Sequence, residues 1–185
     1  MRFERNSVFF TDPTGSFEHP GFDMENTLRS MVLGARRKIV LMTYSLPSWD
    51  RSWFLFDALT EAVGKGVSIE IYAFLQSEVS QVVSWHRASG LIRGWYWNQQ
   101  NKDLFHLKGI VVDDMDAYIG SANLSKNGIR DSAEWGIKTT SPDLCGELKR
   151  YIVHLISENK LIEVMKVGLG DATRRFDCGE IIDQS

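Results

Sequence analysis

The residues best suited to chemistry lie within eighteen positions in the second half of the chain. His106 and Lys108 are two positions apart in a stretch with the composition of a β-strand, and side chains two apart on a strand project from the same face. An imidazole, which can act as a nucleophile or a general acid, is therefore predicted to lie beside a fixed ammonium group. This pair suits a reaction centre at which negative charge develops.

Three further residues of the same stretch support that chemistry. Gly120 and Ser121 end the next predicted strand, and glycine lets the backbone approach a ligand closely. Asn123 follows as an uncharged hydrogen-bond donor. A cation and an amide can stabilise charge on phosphate oxygens, so the group fits a phosphoryl centre. Since burying Lys108 in a covered sheet is costly without compensation, its position favours a functional role.

These residues and Asp113 fill every fixed position of the pattern His-x-Lys-x4-Asp-x6-Gly-Ser-x-Asn. The pattern resembles the signature of the phospholipase D superfamily, and the resemblance extends over residues 1–160. Within the superfamily, the chain looks like the small bacterial nucleases that carry one motif per chain and work as homodimers. It is also similar to members encoded with bacterial DNA-modification and defence systems.

The resemblance implies metal-independent cleavage of a phosphodiester in two steps. His106 of one subunit would attack phosphorus and form a phosphohistidine. His106 of the partner subunit would protonate the leaving oxygen and then activate water. Lys108 and Asn123 of both subunits would hold the phosphate, and Ser121 would help to position it.

Two carboxylates complete the candidate site. Glu134 lies on the strand after the motif and matches the glutamate that orients the histidine in such relatives; the alternative is an edge-strand charge. Asp113 belongs to the candidate catalytic set as a motif residue, although bracing the motif strand is the favoured role. Because His106, Lys108 and Asn123 form neither a carboxylate-rich magnesium site nor a closed zinc site, no metal or other cofactor is expected.

Strand-like and helix-like patterns alternate through the first 160 residues. Such alternation predicts an α/β domain, and with the resemblance a phospholipase D-like fold with a mixed central β-sheet flanked by helices on both faces. Residues 161–185 are predicted to form a C-terminal extension that is weakly structured or binds a partner. The predicted strands cover residues 38–46, 67–74, 93–97, 105–113, 117–120 and 133–140, and the predicted helices cover 23–35, 53–63 and 77–88 and begin again at Pro142.

Composition limits the classes of protein to which the chain can belong. Its 185 residues, 43% of them hydrophobic and 24% charged, fit one globular domain. No apolar run approaches the roughly 18 residues that span a bilayer, and the N-terminus lacks a signal-like segment, so a cytoplasmic protein without a membrane partner is expected. Two cysteines form neither a disulfide framework nor a metal site.

Charge argues against a protein that coats nucleic acid. The net charge is −3, and residues 93–130 hold five basic against four acidic side chains. Few phosphate contacts imply weak and salt-sensitive binding, so other proteins of a defence or modification system are expected to deliver the substrate. DNA is favoured as that substrate over RNA. The alternatives are a phospholipid phosphodiesterase and a phosphate-binding subunit without catalysis.

Aromatic and histidine residues outside the motif receive structural interpretations. Trp95 and Trp97 alternate on one predicted strand, where core packing is favoured over the stacking of bases. His19, His86 and His154 have no motif around them and are interpreted as surface or helix-face residues.

Overall fold

The structure is a computed structural model that describes residues 6–12, 14, 23–47, 50–85 and 89–164. Its strands are β1 (Asn6–Thr11), β2 (Lys38–Met42), β3 (Ser68–Ala73), β4 (Ile92–Trp97), β5 (Gly109–Val112), β6 (Asp116–Gly120), β7 (Glu134–Thr140) and β8 (Leu161–Glu163). Its helices are α1 (Met24–Leu33), α2 (Phe56–Gly64), α3 (Gln76–Trp85) and α4 (Pro142–Ser157), and a π-helical turn covers Asn127–Asp131.

The strands form one mixed sheet in the order β1-β7-β6-β5-β2-β3-β4-β8. β2, β3 and β4 are parallel, and α2 and α3 connect them, as parallel neighbours require a crossover. The other neighbouring pairs are antiparallel. The mixed α/β sheet predicted from the sequence is confirmed.

Local signals in the sequence set where α1 and α4 begin. The carboxylate of Asp23 accepts a hydrogen bond from the Asn26 backbone N–H at 3.2 Å and caps α1. The hydroxyl of Ser141 accepts one from the Leu144 N–H, and Pro142 occupies the first turn of α4, where its missing N–H costs nothing. The predicted start of α4 at Pro142 is confirmed.

Helices cover both faces of the sheet, as predicted. Buried residues of α1, α2 and α3, such as Leu28, Leu59 and Val79, belong to one apolar cluster with the first face. Cys145, Ile152 and Leu155 of α4 belong to a second cluster with residues of the opposite face. The sheet is thus the middle layer of the domain.

Trp95 and Trp97 belong to the cluster under α4. They are only 4% and 5% exposed, Tyr72 stacks on Trp95 at 4.8 Å, and Trp97 lies 6.0 Å from the Phe105 ring. Core packing is therefore confirmed for both tryptophans, and a role in stacking bases is excluded. His154 lies exposed on α4, whereas His19 and His86 fall outside the described residues.

Three differences separate the observed elements from the predicted ones. The predicted strand 105–113 is wrong in its first half, because β5 begins at Gly109, where its neighbour β2 ends at Met42. The sequence patterns do not predict the two edge strands, β1 of six residues and β8 of three. Strand β8 pairs with β4 and extends the sheet beyond residue 160, while residues 165–185 lie outside the described part.

One edge of the sheet gathers strand ends from the centre of the molecule. The register pairs Met42 with Gly109, Gly109 with Ile119, and Gly120 with Gly136. The end of β2, the start of β5, the end of β6 and the start of β7 therefore lie side by side. Among the described residues, no helix is long and apolar enough to cross a membrane.

Candidate active site

His106 and Lys108 lie on an extended segment that leads into β5. Phe105 is buried against Trp97 and anchors this segment, while His106 next to it is exposed. Pairing with β2 stops at Gly109, and one weak contact, from the Gly120 N–H to the Lys108 carbonyl at 3.4 Å, continues the pairing with β6. His106 is thus exposed at this edge of the sheet, and Lys108 is buried two residues further along the chain.

Tyr44 brings the histidine and the lysine together. Its ring lies 5.3 Å from the His106 ring, and the Lys108 Nζ lies 5.9 Å from the centre of the same ring. Phe74 stacks on Tyr44 at 5.1 Å and fixes its plane. Sequence reasoning missed Tyr44, although polar residues just beyond the carboxyl end of a parallel strand are a general signal of a binding site.

The Lys108 ammonium lies in a position that is largely shielded from water. The side chain is 7% exposed, and its Nζ donates a hydrogen bond to the His106 carbonyl oxygen at 3.1 Å. Desolvation lowers the pKa of Lys108 below its ordinary value, and the nearby negative charge of Glu134 opposes that shift. A desolvated ammonium interacts more strongly with an anion than one in water.

Ser121 joins the end of β6 to the start of β7. Its Oγ donates a hydrogen bond to the Glu134 carboxylate, and its N–H donates to the Trp135 carbonyl at 2.9 Å. A Cβ added to Gly120 would lie 2.5 Å from that same carbonyl, so only glycine allows this approach. Within the described residues, Glu134 binds Ser121 and not the predicted partner His106, whose imidazole makes no hydrogen bond.

Thr43, a buried residue just after β2, holds the loop that carries Asn123. The Thr43 Oγ1 lies 3.5 Å from the Asn123 Oδ1 and accepts a hydrogen bond from the Leu124 N–H at 3.2 Å. A Cβ at Gly128 would lie 2.4 Å from the Asn123 carbonyl oxygen, so the π-helical turn packs closely on this loop. These contacts fix the loop 121–124 beside the His106 segment.

Asp113 is not part of this cluster. It follows the last residue of β5, about 16 Å along the chain from Lys108, and its carboxylate accepts hydrogen bonds from the backbone N–H groups of Arg36, Arg37 and Lys38. Burial alone would raise the pKa of Asp113, but these N–H groups hold it below its ordinary value. Its contacts brace a turn at the opposite edge of the sheet, so we assign it no contact with substrate.

Replacing Asp113 should therefore damage stability and leave the chemistry intact. Asp113→Ala is expected to lower the free energy of unfolding by about 2 kcal/mol more than Asp114→Ala, because three N–H groups lose a charged acceptor. Asp114 is the matched control, since both residues have positive φ (54° and 59°). Urea denaturation and an activity assay measure the two effects.

The pH dependence of this effect has a fixed sign. A lowered folded-state pKa stabilises the protein above the unfolded value of about 3.9, and that stabilisation disappears as the pH falls through the folded value. The stability difference between wild type and Asp113→Asn should thus shrink in acid. Equal losses for the Asp113 and Asp114 variants would contradict the bracing role.

The remaining geometry suits attack on an anionic centre. An exposed imidazole, a desolvated ammonium and the Asn123 amide lie around one edge of the sheet. Positive and neutral donors of this kind stabilise charge developing on phosphate oxygens. Among the described residues, no group of three or more histidine, cysteine, aspartate or glutamate side chains is placed to hold a metal ion.

Comparison with known families and a curated relative gives two matches. Residues 28–156 match the family model described as the PLD-like domain of cardiolipin synthase, and this span contains the whole motif. The DISARM protein DrmC of Bacillus paralicheniformis is 24% identical over 143 residues, which make up 75% of this chain and 55% of DrmC. The chain thus spans about half the length of that relative.

Solved structures with the same fold are also found. NucT from Helicobacter pylori superposes with a TM-score of 0.67 at 17% identity, covering 88% of this chain and 100% of NucT. Nuc from Salmonella typhimurium, a phospholipase D family member, superposes with a TM-score of 0.63 at 20% identity, covering 88% of this chain and 99% of Nuc. At these identities the likeness shows the fold.

Proposed function

The chain belongs to the phospholipase D-like domain family, and we propose that it is a metal-independent phosphodiesterase that cleaves DNA as a homodimer. The observation that carries the proposal is the convergence of His106 and Lys108 on the Tyr44 ring, at the sheet edge that also holds the loop 121–124. This arrangement presents a nucleophile together with fixed donors for a phosphate.

The proposed reaction proceeds through a covalent intermediate. A ring nitrogen of His106 attacks phosphorus and forms an N–P bond while the bond from phosphorus to the leaving oxygen breaks. His106 of the partner subunit gives its proton to that oxygen. Water then attacks phosphorus, the same partner imidazole takes a proton from the water, and the N–P bond breaks to restore the first histidine.

The other site residues have distinct proposed roles. The Lys108 ammonium and the Asn123 amide bind the non-bridging oxygens, on which charge increases in the transition state. Ser121 positions the phosphate from the end of β6. Glu134 is a positioning residue: it holds Ser121 by a hydrogen bond, and its charge favours the protonated form of Lys108.

An apolar surface beside the site supports a dimer. Val8, Phe10 and Trp135 are exposed, and Trp135 is 50% exposed. Residues paired across antiparallel strands share a face, so Phe10 lies beside Trp135, and Val8 beside Ile137. The surface runs from the β1 edge to Trp135, whose backbone binds Ser121. We propose that a second copy is seated there and that the two His106 residues meet across the two-fold axis, as the reaction requires.

DNA is the proposed substrate because a phosphodiester is the bond this family acts on and the sequence favours nucleases within it. The relative DrmC is named for the DISARM system. We accordingly propose that other proteins of a defence or modification system deliver the substrate to this chain, whose net charge of −3 gives it little attraction for DNA at long range.

Cleavage in the presence of a chelator tests this function directly. Labelled single-stranded DNA, duplex DNA, RNA and phospholipid vesicles are each incubated with the protein in excess EDTA, with His106→Ala protein as the blank. DNA cleavage should proceed at an unchanged rate, because both groups that move protons are histidines. Complete loss of DNA cleavage in EDTA, restored by Mg²⁺ alone, would contradict the proposal. Cleavage of phospholipid and of no other substrate would show that the protein is a phospholipid phosphodiesterase instead.

A further inference from the structure

Four cationic side chains from separate parts of the chain line one small cavity. Arg29 comes from α1, and Arg51 comes from the segment before α2. Lys126 immediately precedes the π-helical turn, and Arg130 lies within it. The cavity has a volume of about 210 Å³. We call it the cationic cavity.

The charge of the cationic cavity is opposite to that of the whole chain. Its four cations face two acidic side chains, Glu25 and Asp57, which leaves a net charge of +2 in a protein of net charge −3. The Glu25 carboxylate accepts hydrogen bonds from the Nε and Nη2 groups of Arg130, at 2.5 and 2.7 Å. Arg29, Arg51 and Lys126 make no ion pair within the described residues.

Trp53 connects the cationic cavity to the loop 121–124. Trp53, which is 3% exposed, lines the cavity, and its Nε1 donates a hydrogen bond to the Leu124 carbonyl at 2.7 Å. Arg51 is two residues before this tryptophan. Lys126 is three residues after Asn123, a stretch of chain that spans at most about 11 Å. The cavity therefore lies within reach of a polymer held at Asn123.

We propose that the cationic cavity binds a backbone phosphate of the nucleic acid, one next to the phosphate that is cleaved. Arginine binds phosphate with two parallel hydrogen bonds, and lysine supplies a point charge. The inference rests on the proposed function, since it assumes a substrate with several phosphates in a row. It explains how a chain with a negative net charge can still hold nucleic acid, through a local and salt-dependent contact.

The test uses two double variants, each of which removes one arginine and one lysine from a different part of the surface. Arg51→Ala with Lys126→Ala empties the cationic cavity of two unpaired cations. Arg36→Ala with Lys149→Ala is the matched control, because these residues are also exposed and form no ion pair within the described residues. Both pairs are introduced into wild type and into the His106→Ala background, which cannot cleave. The probes are a fluorescent twelve-nucleotide single-stranded DNA and bis(p-nitrophenyl) phosphate.

Binding of the oligonucleotide should weaken about tenfold in the cavity variant, with a salt slope shallower by about 0.7 unit for the one phosphate contact that is lost. The control pair should bind like its parent, and Arg51→Lys with Lys126→Arg should restore binding. Hydrolysis of bis(p-nitrophenyl) phosphate, which has no neighbouring phosphate, should stay unchanged. Equal weakening in the control, an unchanged salt slope, or absence of oligonucleotide binding by the wild-type protein would each overturn the inference.

The two proposals fail in different ways. If wild type binds the oligonucleotide but cleaves neither probe, the proposed function fails, and the binding data in the His106→Ala background still decide the cationic cavity. If wild type cleaves both probes and the cavity variant binds like wild type, the cationic cavity is wrong and the proposed function stands.

Discussion

Mixing equal amounts of wild-type and His106→Ala chains should halve the activity per wild-type chain. The proposed reaction needs a nucleophile and a general acid on opposite sides of phosphorus, and one chain supplies only one motif histidine. With free exchange, about a quarter of the dimers are fully wild type and about half are mixed. A mixed dimer lacks one of the two roles, so it contributes almost nothing.

The pure His106→Ala protein should lose activity on the order of 10⁴-fold or more, as variants of covalent nucleophiles do. His154→Ala is the matched control, because His154 is an exposed histidine on α4 outside the motif. Differently tagged chains and a pull-down show whether subunits exchange. If they exchange and the activity per wild-type chain does not fall, each subunit holds a complete site and the shared-site mechanism is wrong.

The sequence predicts the motif well because its spacing acts through local geometry. Strand periodicity and the short turn between β5 and β6 place Lys108 beside Gly120, so a pattern within eighteen residues identifies one edge of the sheet. The same pattern places Asp113 at the far end of that predicted strand and favours a bracing role, but it does not say which residues Asp113 contacts. That follows only from the register of β5 with β2, which directs Asp113 to residues 36–38.

The residues that support the site could not be predicted, because they come from distant parts of the chain. Thr43 and Asn123 are eighty positions apart, and Trp53 reaches Leu124 across seventy-one. The cationic cavity could not be predicted for the same reason. Basic and acidic residues are nearly equal in number along residues 93–130, whereas the fold brings Arg29 and Arg51 from earlier in the chain beside Lys126. Contacts of this kind depend on the crossover connections and not on local periodicity.

Lys108→Met should nearly abolish activity and at the same time stabilise the fold. The ammonium is proposed to bind the phosphate in a desolvated position, and loss of one such donor costs about 10³-fold in rate. Methionine keeps the length of the buried stem. Burial lowers the pKa of Lys108 in the folded state, so the charged form destabilises the protein below the unfolded value of about 10.4, and its removal should raise stability near pH 7.

The measurement compares kcat/KM and the urea midpoint of Lys108→Met with those of Lys138→Met. Lys138 is half-buried on β7 and forms no ion pair within the described residues, so its replacement should leave activity unchanged. A stabilised Lys108→Met protein with little activity separates function from folding, because a structural lysine cannot be removed with a gain in stability. Activity within tenfold of wild type would contradict a phosphate contact, and a large loss of stability would show that the ammonium serves the fold.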